Sequence, residues 1–370
     1  MTKIRVDLPT ADVCPAKAYL MRVCGISSGL WKRIKHSGTF AVNGTPAIAA
    51  RTMLHAGDIV SYELPIVSSV TPERLPLAIV YEDADLLIID KPSEQLVHPT
   101  TKEARGTVAN AVLGLYEERG IRLDFHPCHR LDRNTTGLLL IAKHPEIQYQ
   151  IAKQSTLTRE YLALIDGMLT PTEGMIDASI ARALPSIILR CVSPNGKPAR
   201  THYRMEWTNT RQSLLRLRLE TGRTHQIRVQ MAAAGHPIKG DLKYGARRSE
   251  TGGGIRLHSY KLSFIHPVTH QNITVEAPPM QPDTLWKACI EACTNSTAFR
   301  NKGQPKADAD KTAPAALKLS YSSSPTGPPS IVYAKSAPNS STLKLSAPRP
   351  ISSSGPNATF TVPCLISGCS

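Results

Sequence analysis

A chain of 370 residues, 41% of them hydrophobic, can bury a substantial core and is expected to form about two folded units. With 44 Lys and Arg against 29 Asp and Glu, a formal charge of +15, its surface carries a positive field that draws in polyanions such as nucleic acid or an anionic membrane. The chain holds no apolar run of about eighteen residues, and Met1 to Thr10 has no signal-peptide pattern; export and membrane insertion are therefore not expected, and the location read is cytoplasmic.

In chain order, residues 1–66 form a compact, basic piece. Ser27 to His36 is predicted to be a short helix carrying Lys32, Arg33, Lys35 and His36, followed by the turn Ser37-Gly38 and the strand Thr39 to Val42. Asn43-Gly44 then signals a tight hairpin. A basic helix on a small hairpin, ending with Ala56-Gly57-Asp58-Ile59-Val60, resembles the small RNA-binding domain of the ribosomal-protein alpha-L type. Residues 72–290 alternate strand and helix patterns. Within Ile79 to Asp90, Tyr81 to Asp85 reads as a turn and Leu86 to Ile89 as a buried strand. Thr107 to Glu118 is helical, Leu138 to Ala142 an apolar strand, Pro145 to Gln154 a helix and Glu160 to Ile165 a strand. Leu214 to Leu219 alternates Leu and Arg at period two, Thr224 to Ala234 is a helix ending at Gly235, and Arg256 to Ile265 pairs with Asn272 to Glu276. Strands in hairpin order predict an α+β fold, a mixed and mostly antiparallel sheet flanked by helices and loops. Residues 300–370 are crowded with Ser and Pro, as in Ser352-Ser353-Ser354-Gly355-Pro356. They contain too few large apolar groups to offset the entropy of ordering, so a disordered tail is expected.

The eight cysteines, Cys14, Cys24, Cys128, Cys191, Cys289, Cys293, Cys364 and Cys369, are scattered without secretory context and are read as free thiols. His126, Cys128 and His129 are zinc-ligand types, but no second pair at ligand spacing accompanies them, so no metal is expected. The strongest chemical string is His129-Arg130-Leu131-Asp132-Arg133-Asn134-Thr135-Thr136-Gly137, running into the apolar strand Leu138 to Ala142. It places a carboxylate in a polar loop on a rigid support, between guanidinium groups that keep it ionised and fit for attack on carbon or for proton removal. Two further strings accompany it. Thr158-Arg159-Glu160-Tyr161 sets Tyr161 at the start of a strand, and Thr221-Gly222-Arg223-Thr224-His225-Gln226-Ile227-Arg228 sets Arg223 at a strand-to-helix bend that Gly222 permits. The helix start, with Arg223 and Arg228, is an anion site for the aspartate or for a phosphate.

These strings, with Asp90-Lys91-Pro92, His98-Pro99 and Gly235-His236-Pro237-Ile238-Lys239-Gly240-Asp241, resemble in order and spacing the motif series of the RluA-type RNA pseudouridine synthases over residues 75–280. The resemblance implies the pseudouridine synthase fold and an isomerase that uses no cofactor. It breaks the C1′–N1 bond of uridine, turns the base and rejoins it through C5. Carried over by position, Asp132 is the catalytic aspartate, Arg223 pairs with it, and Tyr161 lies against the target base and is a candidate base for the C5 proton. Addition to the sugar, addition to C6 and formation of a glycal all stay open for Asp132. Because the target atoms are hidden in a stacked strand, the nucleotide is expected to flip out. Lys32, Arg33, Lys35, Arg130, Arg133 and Arg228 are the expected RNA contacts. Arg228 has a second reading as a salt-bridging helix residue, Asp241 reads as a loop support, and His129 and His225 as structural hydrogen-bonding groups. Three positions depart from the series: Glu94 stands where glycine is usual, Thr136 replaces serine, and Arg159 replaces lysine.

Ribosomal RNA is the expected partner, with transfer RNA as the alternative and no obligate protein partner or membrane. Two other functional classes fit these strings less well. A non-catalytic RNA-binding or ribosome-assembly factor would have lost Asp132, which is present. A glycosidase-like hydrolase needs two facing carboxylates, whereas these strings offer one carboxylate facing arginines.

Overall fold

The computed structural model describes residues 2–279 apart from residues 11, 66–68, 185–188, 210 and 247–253, together with Trp286, Glu291 and residues 316–321 and 331–335. The first elements are β1 (Thr2–Arg5), β2 (Val13–Pro15), α1 (Ala16–Arg22), α2 (Ser28–Ser37), β3 (Thr39–Val42), β4 (Thr45–Pro46), β5 (Met53–His55) and β6 (Ile59–Glu63). They form a sheet in the order β1-β6-β3-β4, with β2 paired to β5. Helix α2 begins where Ser27 Oγ accepts the Leu30 amide at 3.0 Å. Its apolar stripe, Leu30, Trp31 and Ile34, joins Tyr19, Leu20, Leu54 and Val60 in a core of its own, which leaves Lys32, Arg33 and Lys35 exposed. The β3–β4 turn has positive φ at both Asn43 (50°) and Gly44 (81°), as the short hairpin requires.

The remaining elements are β7 (Ile79–Glu82), β8 (Leu86–Lys91), α3 (Val108–Glu118), β9 (His126–Pro127), β10 (Thr136–Ala142), α4 (Pro145–Gln154), β11 (Thr158–Asp166), β12 (Glu173–Asp177), β13 (Ile180–Arg182), β14 (Arg190–Val192), β15 (Arg200–Thr208), β16 (Gln212–Leu219), α5 (Gln226–Ala233), β17 (Leu257–Ile265), β18 (Asn272–Glu276), β19 (Ala316–Tyr321) and β20 (Ile331–Lys335). One large sheet runs β20-β19-β12-β15-β16-β11-β17-β10-β8-β7, with β18 on β17 and β9 on β10. Its pairs are antiparallel except β10–β17 and β12–β19, so the expected α+β class with a mostly antiparallel sheet holds. β19 and β20 fall inside the segment read as a disordered tail. The rest of that tail, and the free-thiol reading of Cys289, Cys293, Cys364 and Cys369, lie outside the described residues.

Period-two alternation divides the central strands between two cores. Leu87, Ile89, Leu139, Ile141, Tyr161, Ala163 and Leu217 face α3 and α5, while Leu86, Ile88, Leu138, Leu140 and Ala142 face Ile147 and Ile151 of α4. α3 is capped where Thr107 and Asn110 exchange side-chain and backbone bonds. Where β17 meets β10, Gly137 (φ 106°) has no room for a side chain, since a Cβ would approach the Ser259 carbonyl oxygen to 2.4 Å.

Candidate active site

Asp132 sits in the loop that enters β10, on the face of the sheet that packs against α5. Leu131 anchors that loop in the main core, and the Thr135 amide closes it with a 3.1 Å bond to the Asp132 carbonyl. Lys91, at the end of β8, braces it from below. Its fully buried ammonium donates to the carbonyls of Pro92 (2.6 Å), Gln95 (2.9 Å) and Arg133 (3.0 Å). Burial pulls the Lys91 pKa down to about 7, and the three carbonyls give each ammonium proton an acceptor. The Asp90-Lys91-Pro92 string thus serves the site as a support. His129 plays a similar part: its Nε2 accepts the Leu140 amide at 3.1 Å, and burial pushes its pKa down to about 3, which leaves the ring neutral.

The cation that holds Asp132 is Arg228, not Arg223. Arg228 Nη1 lies 3.2 Å from Asp132 Oδ2, while Nε and Nη2 grip Asp241 at 2.7 and 2.8 Å. Burial opposes its charge, yet Asp241 and Asp132 outweigh burial and hold the pKa above the ordinary arginine value. The expectation that Arg223 pairs with Asp132 is corrected: among the described ion pairs none joins them, and Arg223 Nε donates to the Pro198 carbonyl at 2.9 Å. The geometric reason is the helix. α5 projects Arg228 inward from its first turn, whereas Arg223 lies in the loop before it. The reading of Arg228 as an RNA contact is corrected as well, because the side chain is 9% exposed and committed to two carboxylates. Its salt-bridge reading and the support role of Asp241 match what is found.

The bend into α5 is also made differently from the expectation. His225, with φ 58°, takes the left-handed conformation, and Gly222 does not. At Gly222 a Cβ would instead meet Arg159 Nη1 at 3.0 Å, so glycine there leaves space for a guanidinium. The amide of Arg223 is already taken by Gln226 Oε1 at 2.9 Å, and Asp132 is held by the Arg228 side chain. His225 bonds Tyr244 Oη through Nδ1 at 2.6 Å and turns Nε2 toward Asp132 at 3.9 Å. Burial outweighs the pull of Asp132 and lowers the His225 pKa to about 4, so its structural hydrogen-bonding role is the one found.

Asp132 forms a wall shared by two cavities. An inner one of about 280 Å³ is lined by Asp132, Tyr161, Arg159, Arg223, Ile227 and Leu257 among others. An outer cleft of about 970 Å³ is lined by His98, Arg130, Asp132, Arg133, Leu242 and Lys243 among others. Tyr161 is buried, and burial raises its phenol pKa, with Asp132 adding to the rise and Arg159 opposing it. Arg130 is exposed on the cleft, and Arg133, also exposed, is paired with Glu103. Lys32, Arg33 and Lys35 belong to α2 and line neither cavity. Two of the three departures have local explanations. Thr136 keeps the hydroxyl that bonds His258 Nδ1 at 2.8 Å, and Glu94 adopts φ 61°, the conformation a glycine would take without strain.

Among the described residues, the side chains that approach metal-ligand spacing are Asp83, Asp85 and His266. His266 Nδ1 accepts the amides of Val268 (3.2 Å) and Thr269 (3.1 Å), which places the ring proton on Nε2, 3.2 Å from Asp83. The Nδ1 lone pair is thus occupied by the turn, and Nε2 makes no hydrogen bond within the group.

The family model described as RNA pseudouridylate synthase matches residues 85–233. The uncharacterized RNA pseudouridine synthase YjbO of Bacillus subtilis is 38% identical over 261 residues, covering 69% of this chain and 92% of that protein. The ribosomal large subunit pseudouridine synthase D of Vibrio cholerae is 39% identical over 259 residues, covering 65% of this chain and 80% of that one. Among solved structures, human RNA pseudouridylate synthase domain containing 1 is 25% identical, with a TM-score of 0.48 over 60% of this chain and 97% of that one.

Proposed function

From a chain that belongs to the RNA pseudouridine synthase family, and is therefore an isomerase of RNA, we propose a site in which Asp132 is the catalytic carboxylate and ribosomal RNA the substrate. The observation that carries the reading is the Asp132 carboxylate, 13% exposed, held by Arg228 in the wall between an inner cavity and an outer cleft. The outer cleft takes the strand, with Arg130 and Arg133 toward its phosphates, and the inner cavity takes one extruded uracil against Tyr161. Asp132 opens the C1′–N1 bond, the base turns, and C5 bonds to C1′. Arg228 holds the carboxylate in place through the 3.2 Å contact of Nη1 with Oδ2. Burial holds the Tyr161 phenol protonated, which suits stacking better than taking the C5 proton; Asp132 is the basic group at hand for that step. Arg223 contributes to the cavity wall.

Ribosomal RNA is favoured over transfer RNA because several similar relatives are named as ribosomal large subunit enzymes. Residues 1–66, with Lys32, Arg33 and Lys35 on an exposed helix face, add a second contact to RNA. Position-resolved pseudouridine mapping in cells with the protein, without it, and complemented with Asp132→Asn tests both parts. Loss of defined ribosomal RNA positions, restored by wild type alone, is expected. Loss confined to transfer RNA would overturn the substrate, and restoration by Asp132→Asn would overturn the site.

A further inference from the structure

One guanidinium in the inner cavity lacks a partner. Arg228 is saturated by Asp241 and Asp132, Arg223 donates to Pro198, and Arg130 reaches solvent. Arg159, half-buried at the start of β11, has a buried Nε with no acceptor among the described atoms. It lines the cavity together with Tyr161, two residues on and on the same strand face, and its guanidinium lies against Gly222. A buried cationic donor without an acceptor is costly, and a site that keeps one is built for an acceptor that arrives with the ligand.

Resting on the reading of the site given above, we infer that Arg159 is a further catalytic residue, which donates to a carbonyl oxygen of the extruded uracil and stabilises the charge that the base acquires when it leaves the sugar. When the C1′–N1 bond breaks, its electron pair goes to N1 and the negative charge spreads onto O2 and O4. Later C5 supplies the pair for the new bond to C1′, the C5 proton is released, and N1 gains a proton, so no oxidant or reductant enters. A planar fork of donors matches a uracil oxygen, and it acts strongly in a cavity walled by Leu219, Ile227 and Leu257. It also keeps the detached base in place while it turns. A phosphate is the less suitable partner, because it would have to shed its hydration to enter this inner space, while Arg130 and Arg133 meet it at the surface.

The test measures turnover and RNA affinity for Arg159→Gln and Arg159→Lys beside wild type. For Gln, kcat is expected to fall by about 10²–10³-fold with the RNA Kd within about two-fold, and Lys is expected to recover part of the loss. A target RNA carrying 5-fluorouridine, whose base bears negative charge more readily, is expected to shrink the Gln deficit in uridine consumption at least about ten-fold. Should Gln fail to fold by thermal melting, Lys carries that comparison. An unchanged kcat, an equal deficit on both substrates, or a weaker Kd with a salt slope reduced by about one, the mark of a phosphate contact, overturns the inference. Asp132→Asn in the same assay separates the two readings. If it is inactive while Arg159→Gln is fully active, only the role of Arg159 fails; if it is active, the site itself does.

Discussion

Replacing Arg228 by methionine leaves the buried Asp241 and the largely buried Asp132 without their cation. Stability is expected to fall by roughly 3–5 kcal/mol in denaturant melts, and activity to be lost with it. Arg228→Lys keeps the charge but cannot grip Asp241 through two nitrogens, so partial activity is expected from the folded fraction. Two neighbours test smaller effects. Thr136→Val removes the hydroxyl that His258 Nδ1 accepts and is expected to cost about 1–3 kcal/mol. Glu94→Gly relieves a left-handed backbone at φ 61°, and a gain of up to about 1 kcal/mol is expected, net of the entropy glycine adds to the unfolded chain. The linked motif strings, rather than residue types alone, singled out Asp132, because an aspartate beside arginine is ordinarily a structural ion pair. They did not announce its partner. Two arginines five positions apart look alike in a string, and only the inward projection from α5 separates Arg228 from Arg223.

At the scale of elements, the basic face of α2 carries its own expectation. Lys32→Glu, Arg33→Glu and Lys35→Glu together, or removal of residues 1–66, are expected to weaken RNA binding more than they slow the chemical step in single-turnover assays. Equal affinity would count against this helix as an RNA contact. Elements with strong periodicity were legible from the sequence: the buried strand β8, the apolar β10, α4 with its leading Pro145, and β16 with alternating Leu and Arg all lie where the pattern put them. Others left weaker traces. β12, β13 and β14 are short, and β15 mixes His202, Arg204 and Glu206 with Tyr203 and Met205, so its alternation is blurred by partners that become visible only in the sheet, such as Glu206 with Arg216. α1 is seven residues long and has no side-chain cap. Its signal is too short for a period of 3.6 to stand out.

At the scale of the whole molecule, burial disfavours the charged form of three histidines among the described residues, His258 fully buried and His129 and His225 half-buried. Burial lowers the pKa to about 3 at His129 and to about 4 at His225 and His258. In the unfolded chain they titrate near 6.5, so between about pH 6.5 and 4 the unfolded state binds protons that the folded state refuses. The stability these three rings contribute is therefore complete above about pH 6.5 and declines as the pH falls toward 4. The melting temperature is expected to drop by on the order of 5 °C or more between those limits, and by less in a His258→Gln variant that still folds. A flat profile down to pH 4.5 would show that the rings do not stay neutral. The most direct measurement is a single-turnover assay of pseudouridine formation by Asp132→Asn, with carbodiimide labelling as the readout and RNA affinity measured alongside. No product with near-normal affinity is the expected result. Wild-type product formation by that variant would contradict the assignment of the reaction to Asp132.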